Sequence, residues 1–182
     1  MSATFDRRLP RQSQPEIPAA RITLKPKDDS RGLLDGAWWP RSRDLMRELP
    51  ALMDVLDPLW GRVTRIAVNP TYWPAIPRQV PVHGHVVKVG WFTAELDPHK
   101  ILLLSYSVGR WDLLVIPPET SPASAERLMA AASGDAGLPL TASALMAAAY
   151  EDEDAAASAD ALATGLPEPV VPGRPEPLIV GT

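Results

Sequence analysis

Three histidines, His83, His85 and His99, are the side chains of this chain best suited to proton transfer or metal binding near neutral pH. An H-x-H pair on a regular strand directs both rings to one face, which is how strands present metal ligands. His83-Gly84-His85 instead straddles a turn signal, where that alternation fails. His99 follows Pro98 in a loop, with Glu95 and Asp97 close by in sequence. The ligand spacing of zinc motifs is absent, so no metal and no cofactor is expected. Nucleophilic catalysis finds less support. Ser42, Ser105 and Ser107 lie outside any G-x-S-x-G elbow, and neither G-x-G-x-x-G nor a P-loop pattern occurs. Asp54 and Asp57, three apart on a helical pattern, read as its solvated face. No catalytic residue is assigned.

The other concentration of chemistry is Asp35-Gly36-Ala37-Trp38-Trp39-Pro40-Arg41-Ser42-Arg43-Asp44, where indoles, guanidiniums and carboxylates crowd into ten residues. Arginine beside an exposed aromatic is equipment for phosphate contact and base stacking, and Arg47 extends the set. Asp35, Asp44 and Glu48 interleave with those arginines and cancel much of their field. Tryptophans are also common core anchors, and Trp60, Trp73, Trp91 and Trp111 are available to join these two. In an extended segment adjacent side chains point to opposite faces. One of Trp38 and Trp39 is therefore expected inside, and the other on an exposed binding face made with Asp35, Arg41 and Arg43.

That ten-residue phrase, followed by Glu48-Leu49-Pro50-Ala51-Leu52 and echoed by Leu113-Leu114-Val115-Ile116-Pro117-Pro118-Glu119-Thr120, resembles an actinobacterial family of small domains of unknown function. The resemblance covers roughly residues 21–150. It implies domain limits and carries no activity, ligand or catalytic residue with it.

Composition sets the frame. The 182 residues suffice for one domain with a proper core, and 46% apolar content is ordinary for a globular chain. Cysteine is absent, which removes disulfides and thiolates and suits a reducing cytoplasm. Met1–Pro10 carries charge and no apolar run, arguing against a secretory signal, and no apolar stretch is long enough to span a bilayer. The net charge of −4 hides a gradient: residues 1–31 hold seven basic residues against four acids, while residues 151–182 hold seven acids against Arg174 alone. The 21 prolines also gather toward the ends, five of them between Pro167 and Pro177. Such segments bury too little apolar surface to offset their ordering entropy.

The elements that must position these residues follow from pattern. Arg21–Lys25 reads as a short strand closed by Pro26. A helix is expected from a Ser42 cap, with Leu45, Leu49, Leu52, Met53, Leu56 and Leu59 as its stripe. Pro50 should kink it or split it in two. Val63–Val68 is a β-branched strand, and Thr71–Arg78 a stiff crossing loop. Strands at 79–82 and 85–91 should form a hairpin around His83-Gly84, and strands at 100–106 and 110–116 a second one around Val108-Gly109. The last two are apolar on both faces and belong in the middle of the sheet. Ser121-Pro122 starts a helix ending at Gly134, and Thr141–Tyr150 forms an Ala-rich one.

The expected architecture is α+β: a mostly antiparallel sheet of five to six short strands with two or three helices packed on it. Residues 1–20 form a disordered N-terminal segment, 21–150 a single domain and 151–182 an acidic, Pro-rich disordered tail. The expected function is a non-catalytic binding or regulatory module of the cytoplasm, with a protein or small molecule as its partner and no membrane. The alternative is a nucleic-acid-binding accessory protein using the basic head and Arg41, Arg43 and Arg47. A further alternative is an enzyme with a histidine-based site.

Overall fold

The computed structural model describes residues 18–26, 32–106, 109–134 and 140–164. Seven strands form one mixed sheet: β1 (Ile22–Leu24), β2 (Gly36–Trp38), β3 (Val63–Val68), β4 (Gln79–Val82), β5 (His85–Trp91), β6 (Lys100–Ser105) and β7 (Arg110–Val115). Helix α1 (Leu45–Trp60) follows β2, and α2 (Pro122–Ser133) and α3 (Ala142–Thr164) follow β7. The order across the sheet is β1-β2-β7-β6-β3-β5-β4. The expected α+β class holds, with the two apolar strands β6 and β7 central as their composition requires.

The sheet differs from expectation in number and direction. The seventh strand is β2, inside the indole-rich stretch read as a lead-in to the helix. Four neighbouring pairs are antiparallel, but β2–β7 and β3–β5 are parallel. Helix α1 returns the chain to its starting end, so β3 runs in the direction of β2. After the crossing loop, with a 3-10 turn at Pro70–Tyr72, β4 carries the chain back, so β5 again runs in the direction of β3. Parallel neighbours are distant in sequence, so hairpin reasoning cannot find them.

Alternation along the strands divides the interior. Trp38, Leu113 and Val115 face α1 and join a core with Leu45, Leu49, Leu52, Met53 and Leu56. Ala37, Leu114 and Ile116 face the other way and pack beneath α2 and α3 with Leu128, Ala132 and Met146. Gly36 makes the join between β1 and β2. Its φ is +152°, and an added Cβ would lie 2.2 Å from the Thr23 carbonyl oxygen. A side chain there would push β1 off the sheet.

Helix α1 is one continuous helix through Pro50 and Pro58, so the expected split into two helices does not occur. One apolar face spans both prolines, and its burial outweighs the missing backbone bonds. The cap is Asp44 rather than Ser42: Asp44 Oδ1 accepts the Met46 N–H at 2.9 Å, while the Ser42 hydroxyl donates to Glu48 Oε1 at 2.8 Å. Leu59 is exposed and Trp60 takes the last inward position before Gly61. Helix α2 starts and stops as expected, capped by Ser121 and ended by Gly134.

Helix α3 runs past Tyr150 to Thr164, so residues 151–164 are helical where a disordered tail was expected. Ala and Leu there supply enough helix propensity to carry on from the packed first turns. Its packed part ends near Ala149. At the other end, Ala20 packs on the first core, just inside the segment expected to be disordered. Residues 1–17 and 165–182, Val108 of the second hairpin turn and Lys27–Arg31 lie outside the described residues.

Candidate binding cleft

Strands β2, β3 and β7 end on the same side of the sheet, and α1 and α2 start there. Crevices at the carboxyl ends of parallel strands are where open sheets commonly bind ligands, because loops diverge there. Pairing β2 beside β7 brings the stretch 35–44 against 113–120. The Ile116 N–H donates to the Trp38 carbonyl at 2.9 Å, and the Arg43 guanidinium pairs with the Glu119 carboxylate. Between them opens a shallow cleft whose enclosed space is about 10 Å³, lined by Pro40, Ser42, Arg43, Tyr72, Trp73, His99, Val115, Pro117 and Pro118.

Each polar group in the cleft is held by a different element. Arg43 precedes α1; one guanidinium nitrogen donates to the Tyr72 carbonyl at 2.9 Å, and the group lies 5.2 Å from the Tyr72 ring centre. The 3-10 turn that presents Tyr72 is fixed by Asn69, whose Oδ1 accepts the Thr71 N–H at 3.0 Å and whose amide donates to the Leu96 carbonyl at 2.7 Å. Tyr72 Oη and His99 Nε2 share a hydrogen bond of 3.0 Å, with the rings 4.5 Å apart. His99 sits just before β6 and is only 7% exposed.

Asp97, two residues before His99, serves the backbone. Its Oδ1 accepts the His99 N–H at 2.9 Å and the Ser143 hydroxyl at 2.7 Å, and its Oδ2 accepts the Ser143 N–H at 2.9 Å. Burial pushes its carboxyl up, but those bonds outweigh burial and hold it below the usual carboxylate range. For His99 burial dominates and lowers the pKa; nearby Asp97 and the Val115 backbone oppose it, and Arg43 reinforces it. His99 Nδ1 is buried with no hydrogen-bond partner among the described residues. A neutral imidazole with a spare nitrogen therefore borders the cleft.

The expected site residues divide into two groups. Trp38, 1% exposed, is a core residue stacked on Trp73 at 5.9 Å, and touches the cleft only through that partner. Arg43 lines the cleft directly. The other residues point elsewhere. Trp39 is half-buried under α2 and α3, with the Arg21 guanidinium 3.5 Å above its ring. Arg21 also donates to the Trp39 and Pro40 carbonyls at 3.0 and 2.7 Å, closing that face of the indole. Arg41 donates to the Ala19 carbonyl at 2.8 Å. Asp35 Oδ2 accepts the Asp112 N–H at 2.8 Å, tying β2 to β7, and burial raises its pKa. Arg47 is exposed on α1.

Tyr72, His99 and Glu119 were in view in the sequence without being joined. Glu119 lay in the second of the two family-like phrases, which only a parallel pairing sets beside the first; Tyr72 and His99 lie outside both phrases. The two other histidines meet α1 at the far end of the sheet. His83 Nδ1 donates to Asp54 at 2.6 Å; His85 Nε2 donates to the Val63 carbonyl at 2.8 Å, and its Nδ1 faces Asp57 at 3.6 Å. Asp54 and Asp57, read as a solvated face, are the partners of these rings. Among the described residues no three His, Asp or Glu side chains gather as metal ligands.

Residues 21–132, from β1 almost to the end of α2, match the family of unknown function DUF5994. The chain belongs to that family. Every cleft residue falls within the matched span, as do both stretches that frame it. Helix α3 lies outside, so the DUF5994 region stops short of the 150 expected from the resemblance. Comparisons with curated proteins and with solved structures gave no match. No helix among the described residues is long and apolar enough to cross a membrane.

Proposed function

We propose that this DUF5994 chain is a non-catalytic binding or regulatory module that takes a small molecule in the cleft between the β2–α1 and β7–α2 loops. The observation that carries the reading is the composition of that cleft: walls of Pro40, Trp73, Val115, Pro117 and Pro118 around Ser42, Arg43 and a buried, neutral His99. Apolar walls with a few converging polar groups are the general make-up of small-molecule sites. Arg43 is the binding residue this reading favours, with Trp38 supporting the wall through Trp73. Catalysis is not favoured, because the Ser42 hydroxyl is engaged by Glu48 and the His99 ring by Tyr72. Nucleic-acid binding is less favoured because Arg41 is held by the Ala19 carbonyl of the chain itself.

The folding unit is proposed to span 21–150, since Ala149 is the last residue packed on the second core. A cytoplasmic setting is proposed from the cysteine-free sequence. Amide spectra of the full chain recorded against a set of small fragments test the binding reading. Saturable shifts are expected at Arg43, Trp73, His99 and Val115. Shifts confined to Arg41, Arg47 and the basic head on adding an oligonucleotide, with the cleft unmoved, would favour the nucleic-acid alternative instead.

A further inference from the structure

The sheet has one face that its helices cover only in part. On the side away from α1, α2 packs over β1 and β2, and α3 packs on α2. The same side of β3, β4, β5 and β6 is left open: Val86 is half exposed there, and Leu102 and Leu104 partly so. The strand registers set Gly90, Ala67 and Leu102 side by side, a row of small and apolar groups. The next row holds Lys88, Arg65 and Leu104. Lys88 and Arg65 are directly opposed and exposed, and neither has an ion-pair partner among the described residues. Neighbouring like charges repel, so an acidic surface laid across both is stabilised. Lys100 and Arg110 stand on the same side and share Asp112, at 3.5 and 3.1 Å.

The covered half of this face shows what fits such a surface. There the Ala-rich α2 sets Ala125 and Ala132 with Ala37 and Leu114, small side chains that let helix and sheet approach closely. The end of α3 offers the same material with charge added. Beyond Ala149, the last residue in either core, exposed Glu151, Asp152 and Asp154 are followed by exposed Ala155, Ala156 and Ala159. From residue 151 to Thr164 the helix extends about 21 Å. That is enough to cross the four open strands, which span roughly 14 Å. Because these residues are exposed, they do not cover the open face of their own chain. We infer that this face binds the acidic extension of α3 from a second copy of the chain, exchanged reciprocally in a two-fold dimer. The acids of the helix meet Arg65 and Lys88, and its alanines lie over the row of Gly90, Ala67 and Leu102. Two-fold exchange uses the same pair of surfaces twice and leaves neither open.

Sedimentation of the full chain tests this with charge reversals at exposed positions. The wild type is expected to dimerise reversibly and to dissociate as salt rises, since salt screens exposed charges. Arg65→Glu with Lys88→Glu reverses the face; Glu151→Lys, Asp152→Lys and Asp154→Lys together reverse the helix. Each set alone should weaken dimerisation by about tenfold or more. Mixed in equal amounts, the two variants should associate as the wild type does, because each supplies the surface of opposite sign that the other lacks. Rescue in the mixture excludes misfolding as the cause of either loss. If the reversed face fails to fold, Arg65→Gln with Lys88→Gln takes its place and should weaken dimerisation in the same direction. A wild type that stays monomeric up to about 100 μM would overturn the exchange. So would a dimer indifferent to both sets of substitutions. A mixture of folded variants no more associated than its parts would also overturn it, and is the result expected if the acidic segment closes on its own chain.

Discussion

The two ends of the sheet carry similar parts put to different use. Each has a stacked pair of indoles, Trp38 on Trp73 at one end and Trp60 on Trp111 at the other, with centroids 5.9 and 4.6 Å apart. Each also has histidine close to aspartate. At the hairpin end the polar groups answer one another: His83 meets Asp54, and His85 meets Val63 and faces Asp57. At the cleft end the nearest aspartate is engaged by backbone and Ser143, so the His99 ring keeps a nitrogen without a partner among the described residues. Among the described residues the Arg43 charge there is met by an exposed glutamate, a carbonyl and the Tyr72 ring. Buried polar groups are normally satisfied, so an end that leaves one open, beside a cleft, is the end to suspect of function. The satisfied end holds the fold.

The largest test of that contrast is in the indoles. Trp38→Ala should cost about 3–5 kcal/mol, because a fully buried ring on the α1 face leaves a cavity under Trp73. Trp111→Ala, at a half-exposed position, should cost clearly less. Denaturant melts of both variants decide it, and equal losses would erase the distinction between the two ends. Trp39→Ala should fall between them, since its ring is covered by Arg21 and packed on the second core.

Gly36→Ala should rank next, at about 2–3 kcal/mol, combining an unfavourable positive φ with a backbone clash against Thr23. Its effect should be local. Amides of β1, β2 and the cleft should shift, while those of the β4–β5 hairpin stay in place; a uniform change would mean that the ends are not separable.

Acid should act first on the cleft end. The His99 pKa is lowered by burial, so below about pH 6.5 the unfolded chain binds a proton that the native chain still refuses. Stability should therefore fall as pH drops below that point, until His99 itself protonates. Replacing His99 by Gln should flatten this slope between pH 7 and 5. The Asp97 contribution acts lower: its folded pKa is depressed, so its stabilisation is lost only below the ordinary carboxylate range. An unchanged slope in the His99 variant would mean the ring is not the responsible group.

The smallest effects separate Asp35 from His83. Asp35 has a raised pKa, so its charged form is disfavoured in the native state at neutral pH. Asp35→Asn keeps an acceptor for the Asp112 N–H and should change stability by about 0.5 kcal/mol or less, in the stabilising direction. His83→Ala, which removes an exposed pair, should cost no more than about 0.5 kcal/mol. A larger loss there would make the hairpin end more than scaffolding.

Local sequence determined the elements, because their signals are local. The strands at 63–68, 79–82 and 85–91, and the Ser121-Pro122 start of α2, follow from periodicity and turn or cap chemistry acting within a few residues. The same logic failed where distant packing outweighed it. A continuous apolar face kept α1 whole through Pro50, and docking of β2 beside β7 made a strand of Gly36–Trp38 that three residues could never have specified alone. The opposite placements of Trp38 and Trp39 follow from the alternation of an extended chain and were legible; that Arg21 would close over Trp39 was not. The cleft belongs wholly to the tertiary structure. Arg43, Tyr72, His99 and Glu119 come from four separate segments, and no spacing in the sequence relates them. Only the parallel direction of β2, β3 and β7 brings their loops to one end, since strand direction is set by what covers the sheet rather than by any residue in the strands.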